Sequence, residues 1–319
     1  EYRYFTSNDV RRGESVMNVK NILSFSGGKD STALYLLAME RGEDFLPIFA
    51  DTGHEHELTY QFVKEFPEKV GGPEIKWVKA DFKKDLERKR TKVIPEKWLK
   101  DGVPKADRDR AIEAAIYTGN PFLDLVTWKG RFPSTRARFC SQMLKHEPIF
   151  EQVIDPLLEQ GIEVISWQGV RADESFARKD LPPVEEVGGG LWNYRPILEW
   201  TADDVFAMHD KHGIEPNPLY KMGCGRVGCM PCIHARKDEL MNIADRFPEV
   251  VDRVRDWEGI VSHAAKRGKS TFFCNTDGHG DGIDQVVQWS RTSKGLSNLD
   301  MFRQGNEVEM CSSIYGLCE

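Results

Sequence analysis

The chain has 319 residues, 40% hydrophobic and 30% charged, with a formal net charge of -7. That is an ordinary globular composition, long enough for one large domain with an appendage. No stretch approaches the roughly 20 apolar residues of a membrane span, no secretory signal is visible, and the acidic total does not advertise a polyanion binder.

In chain order, residues 1–18 read as a polar arm. "VKNILSFS" (19–26) is a short apolar run, the pattern of a buried strand, that stops at Gly27-Gly28. "DSTALYLLAMERG" (30–42) has helical spacing and a glycine stop at Gly42. A second strand (44–53), a helix (58–70) and a third strand (74–80) follow. This β-α-β-α-β order implies a parallel sheet with right-handed crossovers. Helices are expected over 106–118, 143–160, 201–213 with Thr201 as N-cap, and 246–268, and a strand over 162–170. The tail, 269–319, is glycine-rich and irregular. The expected organisation is an α/β Rossmann-like domain over 19–232, a parallel sheet flanked by helices, with a helical and Cys-containing extension over 233–319.

"SFSGGKDST" (24–32) concentrates the chemistry. Ligands of parallel sheets lie at the strands' carboxyl ends. There Gly27 and Gly28 let backbone N–H groups approach an anion, and the following helix adds its positive end. Ser26, Ser31 and Thr32 offer hydroxyls and Lys29 a charge. The spacing is shorter than G-x-x-x-x-G-K-[ST] and suits a smaller target such as leaving pyrophosphate.

Basic residues are locally dense. Lys83, Lys84, Arg88, Lys89, Arg90 and Lys92 read as a solvated face, whereas Lys129, Arg131, Arg136, Arg138 and Lys145 read as a functional basic surface leading into Cys140. His54 and His56 in "HEHE" read as an exposed polar turn, with metal binding as the alternative. Arg171 follows a strand ending in Gly169 and is placed to clamp a phosphate or sulfate, with Arg178 and Lys179 assisting. Pro216-Asn217-Pro218-Leu219-Tyr220 reads as a rigid turn presenting the cysteine loop.

Seven cysteines without an export signal point to metal or cluster ligation in a reducing cytoplasm. Cys229-Met-Pro-Cys232 has the spacing that turns two thiolates to one site, Cys224 can fold back across Gly225 and Gly228, and Cys140 is the candidate fourth ligand. A [4Fe–4S] cluster is the first reading. A Cys₄ zinc site, inert or relay thiols, and a three-ligand site with Cys224 free are the alternatives.

The loop resembles the PP-loop of the N-type ATP pyrophosphatases, of adenine-nucleotide α-hydrolase-like fold. "RFCSQMLKHEPIF", "GVRADESFARKD" and the run 195–232 resemble the sulfonucleotide (PAPS/APS) reductase-like branch. The resemblance covers residues 19 to about 235. It implies an enzyme that splits ATP with Mg²⁺ and passes AMP to an acceptor. It also implies a nucleotide site of Ser24, Ser26, Gly27, Gly28, Lys29, Asp30, Ser31, Asp51, Thr52, Gly53, Gly169 and Arg171, with Lys29, Asp30 and Arg171 catalytic. Relatives that carry a cluster place a Cys-Cys pair where this chain has Phe139-Cys140, so Cys224 would supply the missing ligand.

Two departures shape the expectation. The loop is intact, whereas true sulfonucleotide reductases have degenerate ones. The terminal Glu-Cys-Gly-(Leu/Ile)-His setting is absent, although "MCSSIYGLCE" offers Cys311 and Cys318 as a sulfur relay. The expected function is an adenylating ATP pyrophosphatase in sulfur transfer, its acceptor DNA or RNA as in the sulfur-insertion ATPases of DNA phosphorothioation, its sulfur drawn from a cysteine desulfurase. The alternatives are an APS/PAPS reductase with a thioredoxin-like donor and a nucleotide-binding module without turnover.

Overall fold

In the computed structural model, residues 18–273 and 281–292 are described. Six strands, β1 (Val19–Ser24), β2 (Phe45–Asp51), β3 (Lys76–Lys79), β4 (Glu163–Trp167), β5 (Val184–Gly188) and β6 (Leu191–Tyr194), form one sheet of order β3-β2-β1-β4-β6-β5. All neighbours are parallel except β5, which pairs antiparallel with β6. The α/β fold expected from the sequence is thus what forms, with the β5–β6 hairpin added. β1 has β2 on one side and β4 on the other, so the order reverses there and opens a crevice at their carboxyl ends.

The strands alternate faces, as their period of two requires. Leu23, Phe25 and Phe49 pack under α1 (Lys29–Glu40), α2 (Glu57–Val70) and α7 (Ala202–Lys211), meeting Leu34, Leu37, Phe62, Phe66 and Met208. Ile22, Ile48, Val78 and Val164 face the other way, onto Ile149, Val153 and Ile154 of α6 (139–159). Each buried aliphatic or aromatic side chain contributes roughly 1.5–3 kcal/mol. Thr201 caps α7 as expected: its hydroxyl accepts from Asp204 N–H, and the Asp204 carboxylate accepts from Thr201 N–H at 2.8 Å.

Two long helices carry prolines next to wider turns. α3 (83–98) holds Pro95, and α6 holds Pro148 and Pro156. In each, wider π turns fall at or just before the proline, where the ring removes an N–H and crowds the carbonyl four residues back. α4 (Lys105–Ala114), α5 (Pro121–Lys129), α8 (Pro218–Lys221), α9 (Lys237–Arg246), α10 (Pro248–Ala264) and α11 (Ile283–Ser290) complete the described elements. The helix expected over 246–268 begins at Pro248 and ends at Ala264. Beyond residue 233 the chain packs back on the sheet domain. Leu240, Val251, Val254, Trp257 and Val261 share a core with Phe122, Leu125, Phe132 and Leu144. Among the described residues no helix is long and apolar enough to cross a membrane.

Candidate active site

β1 delivers the chain into the glycine loop at the sheet's switch point. Gly27 has a φ of 77°, and a Cβ there would stand 3.0 Å from Val63 Cγ2, so both conformation and space demand glycine. Hydroxyls organise the turn. Ser31 Oγ accepts from Ser26 N–H at 3.1 Å and donates to Gly28 O at 3.1 Å, while Ser26 Oγ accepts from Gly28 N–H at 3.2 Å. Gly28 begins α1 without a side-chain cap, so the helix N-terminus keeps the dipole's positive end bare of a carboxylate or hydroxyl of its own cap residue. Thr32 is fully buried.

Asp30 is wholly buried and clamped by two cations: Lys29 Nζ lies 2.7 Å from Oδ2 and Arg171 Nε 2.6 Å from Oδ1. Gly169 makes the second contact reachable. A Cβ on it would lie 3.3 Å from Ser31 N, so only a bare backbone lets the end of β4 settle against the first turn of α1. The remaining Arg171 donors turn to Asp173 at 2.8 Å and toward Glu174 at 3.8 Å. Arg178 pairs with Glu174 as well. The Arg171 guanidinium, read from the sequence as a phosphate clamp, is here engaged by the carboxylates of Asp30, Asp173 and Glu174.

The Pro-Asn-Pro segment does more than present cysteines. Asn217 Nδ2 donates to Gly27 O at 3.2 Å, Tyr220 OH accepts from Lys29 N–H at 2.9 Å, and His209 Nε2 lies 2.9 Å from Lys29 O. None of the three stands near the loop in sequence, and none carried a signal that tied it there.

The second strand ends in Asp51, whose Oδ1 accepts from Gly53 N–H at 2.9 Å and from Tyr60 OH at 2.8 Å. Thr52 donates to Glu55 Oε1 at 2.7 Å, and Tyr60 OH also reaches Glu55 Oε2 at 2.9 Å. The "HEHE" run is not the exposed turn expected from its polarity. His54 and Glu55 are buried because the cysteine loop and α10 cover them. The His54 ring stacks 4.3 Å from Phe122, its Nε2 meets Pro231 O at 2.9 Å, and burial holds it well below the usual imidazole range. His56 caps α2 instead, Nδ1 accepting from Leu58 N–H.

Glu55 pairs across a β-bridge with Cys229, and Met230 N–H donates to His54 O at 2.9 Å. Cys229 Sγ lies 3.8 Å from Glu55 Oε1 and 3.6 Å from Thr52 Oγ1. Burial, then the Glu55 charge, pushes the Cys229 thiol up; Lys145 opposes the rise, and the nearby Cys232 and Cys140 add to it. Three of the four expected thiols thus share one corner. Cys224 does not join them. It sits in an apolar pocket with Leu219, Val227 and Ile243, accepts from Asn242 Nδ2 at 3.7 Å, and is pushed up to about 11 by burial. Among the described residues no three His, Cys, Asp or Glu side chains converge closely enough to hold a metal ion, so the four-thiol ligand set does not fit this arrangement. Cys274, Cys311 and Cys318 lie outside the described residues.

One cleft joins these parts: Ser24, Ser26 and Ser31 of the loop face Ala50, Glu55, Lys145, Gly169 and Gly228. Glu55 is its unforeseen member, whereas Lys145 comes from the basic stretch read as a functional surface leading into Cys140. A family model for the phosphoadenosine phosphosulfate reductase domain matches residues 20–235, the stretch that builds this cleft. The chain belongs to the phosphoadenosine phosphosulfate reductase family. It is 47% identical to an uncharacterized 37.8 kDa protein of Escherichia phage 186, across 94% of this chain and 96% of the relative. It is 31% identical to an uncharacterized nin region protein of Escherichia phage lambda, across 73% and 72%. The adenosine 5'-phosphosulfate reductase of Allochromatium vinosum matches at 35% identity over 26% of this chain, and the chain spans 33% of that enzyme's length. A solved phosphoadenylyl-sulfate reductase from Candida auris aligns with a TM-score of 0.41 at 18% identity, covering 71% of this chain and 89% of that one. The segment matched to the reductase family takes in Asp30, Arg171 and all four described cysteines, while α9, α10 and α11 follow it.

Proposed function

We propose that this member of the reductase family is an ATP pyrophosphatase that adenylates an acceptor for sulfur transfer. The observation that carries the reading is the intact glycine loop at the switch point, opening into the same cleft as Glu55, Lys145 and the cysteine loop. Pyrophosphate is an anion matched to the positive end of the α1 dipole, to Lys29 and to Lys145. In the step, an acceptor oxygen bonds to the α-phosphorus while the bond to the bridging β-phosphate oxygen breaks. Pyrophosphate leaves with that electron pair, and the acceptor's proton passes to solvent or to Glu55. Mg²⁺ bound with the nucleotide would neutralise the leaving charge. Asp30, fixed by Arg171, sets the position of Lys29. The Ser26 and Ser31 hydroxyls, which now bond to loop backbone, are the groups that re-aim toward phosphate oxygens. The terminal sulfur of a donor's cysteine persulfide, of the cysteine desulfurase type, then attacks the activated acceptor, and AMP leaves as the bond to its oxygen breaks. A thiol of the neighbouring corner attacks the resulting acceptor–donor disulfide, which frees the sulfurated acceptor and leaves a disulfide for an external thiol to reduce.

Reduction of APS or PAPS to sulfite by a thiol donor is the second reading, supported by the partial match to curated APS reductases. Anaerobic protein given ATP and Mg²⁺ should release pyrophosphate and AMP in equal amounts once an acceptor is present. Sulfite from APS or PAPS with no pyrophosphate from ATP under any acceptor would overturn the adenylation reading in favour of the reductase one.

A further inference from the structure

A second groove lies outside the reductase-like cleft, where the ends of two helices meet. One wall is the C-terminal end of α5, with Lys129 and Arg131. The other is the loop after α10, with Lys266, Arg267 and Lys269. All five side chains are exposed. The floor is Val93 and Trp98 of α3 together with the half-buried Trp128. No acid lines the groove, although the whole chain carries a net charge of -7. Lys266 has Asp101 as an ion-pair partner at 2.9 Å and Lys269 has Asp281. Lys129, Arg131 and Arg267 have no carboxylate partner among the described residues.

The walls are held in place from beneath. Lys89, which the charge run assigned to a solvated face, is buried. Its ammonium donates to Thr127 O at 2.6 Å and Ala264 O at 2.8 Å, tying the carboxyl ends of α5 and α10 to α3. Gly130 sits over this joint, and a Cβ on it would lie 3.3 Å from Ala264 O. Cations at helix carboxyl ends are favoured by the dipole, and the buried Lys89 already takes one terminal carbonyl of each helix. Lys266 and Lys269 have carboxylate partners outside the groove and Lys129 stands 3.9 Å over the Trp128 ring, yet the facing walls keep five exposed cations with no acid between them.

We propose that this groove binds single-stranded nucleic acid, its backbone phosphates between the two cationic walls and its unpaired bases over the apolar floor. Polyanion grooves are built in this way, cations tracking the backbone and apolar or aromatic surface meeting the bases. A concave channel between two walls fits a strand better than a flat anionic membrane. The groove also points toward chemistry: the Arg131 guanidinium lies 5.4 Å over the Phe139 ring, and Phe139 precedes Cys140 of the thiol corner. Binding requires no turnover, so the inference stands whether or not ATP is cleaved.

Fluorescence anisotropy of the full chain with a labelled single-stranded oligonucleotide, repeated across salt concentrations, tests it. Binding should weaken linearly on a log–log salt plot, with a slope of about 0.7 per phosphate contacted. The double variant Lys129→Glu/Arg267→Glu should lose at least tenfold in affinity and show a shallower slope, with ATP binding at the glycine loop and the melting temperature unchanged. Should the double reversal lower the melting temperature, the single neutral variants Lys129→Gln and Arg267→Gln carry the same test with smaller losses. Equal affinity in the variants, a preference for duplex over single strand, or binding only to vesicles of anionic phospholipid would each overturn the proposal. A fall in melting temperature with affinity unchanged would do the same and assign the cations to the helix ends.

Discussion

At the scale of single residues, the site turns on a carboxylate that touches no solvent. Asp30 is held by Lys29 and Arg171 in a pair too buried to be screened. Removing one partner from such a pair leaves the others uncompensated and costs about 3–5 kcal/mol. Asp30→Asn should therefore lower the unfolding free energy by about that much in denaturant titrations and abolish nucleotide binding. A change below about 1 kcal/mol would show that the clamp is not formed. Gly27→Ala forces a side chain into positive φ against Val63 and should cost about 1–2 kcal/mol, with nucleotide affinity falling further than stability. The cysteines give a sharper discrimination. Iron and sulfide analysis of anaerobically prepared protein should find no [4Fe–4S] stoichiometry in the native chain, because the Cys224 thiol sits with Asn242 away from the others. A full cluster lost in Cys229→Ser and Cys224→Ser alike would return Cys224 to the ligand set.

At the scale of elements, the groove joint gives a pH signature. Burial holds the Lys89 ammonium at about 8, down from 10.5. Between those values the unfolded chain carries the extra proton, so stability on this group's account rises with pH through the window, by up to about 3 kcal/mol. Below about pH 8 both states are protonated and the burial penalty is constant. In Lys89→Met this dependence is absent, so the wild-type-minus-variant unfolding free energy should climb from pH 8 toward 10; a flat difference would place Lys89 in solvent.

The same elements mark how much was legible in the sequence. β1, the glycine turn and α1 were readable because an apolar run, two glycines and a helical period all agree there. α3 was not, since Pro95 and a dense charge run argue against a helix, and only the wide turn around the proline resolves the conflict. α5 was hidden because its buried face is nearly all round, with no polar stripe to set a period. The β5–β6 hairpin was missed because three glycines in "EEVGGG" read as loop while main-chain pairing made strands. At the site, loop and cysteines were visible as motifs. The burial of "HEHE", the role of Tyr220 and the isolation of Cys224 were not, because each depends on contacts more than a hundred residues away in sequence or on the packing of α9 and α10.

For the molecule as a whole, one body carries both the cleft at the switch point and a second, cationic groove. The switch point gathers the glycine loop, a clamped carboxylate and three thiols, and the helices after residue 233 close a cationic groove against α3 and α5. The glycine loop and the described cysteines thus lie in the segment matched to the reductase family, whereas one wall of the groove comes from beyond it. The most direct measurement of the central claim is a crystal structure with an ATP analogue that cannot be cleaved between its α- and β-phosphates. Expected are β- and γ-phosphates against the N–H groups at the start of α1, within reach of Lys29, and an α-phosphorus that faces Glu55 and the cysteine loop. A nucleotide bound elsewhere, or a glycine loop still closed by its own serines with the analogue absent at saturating concentration, would contradict it.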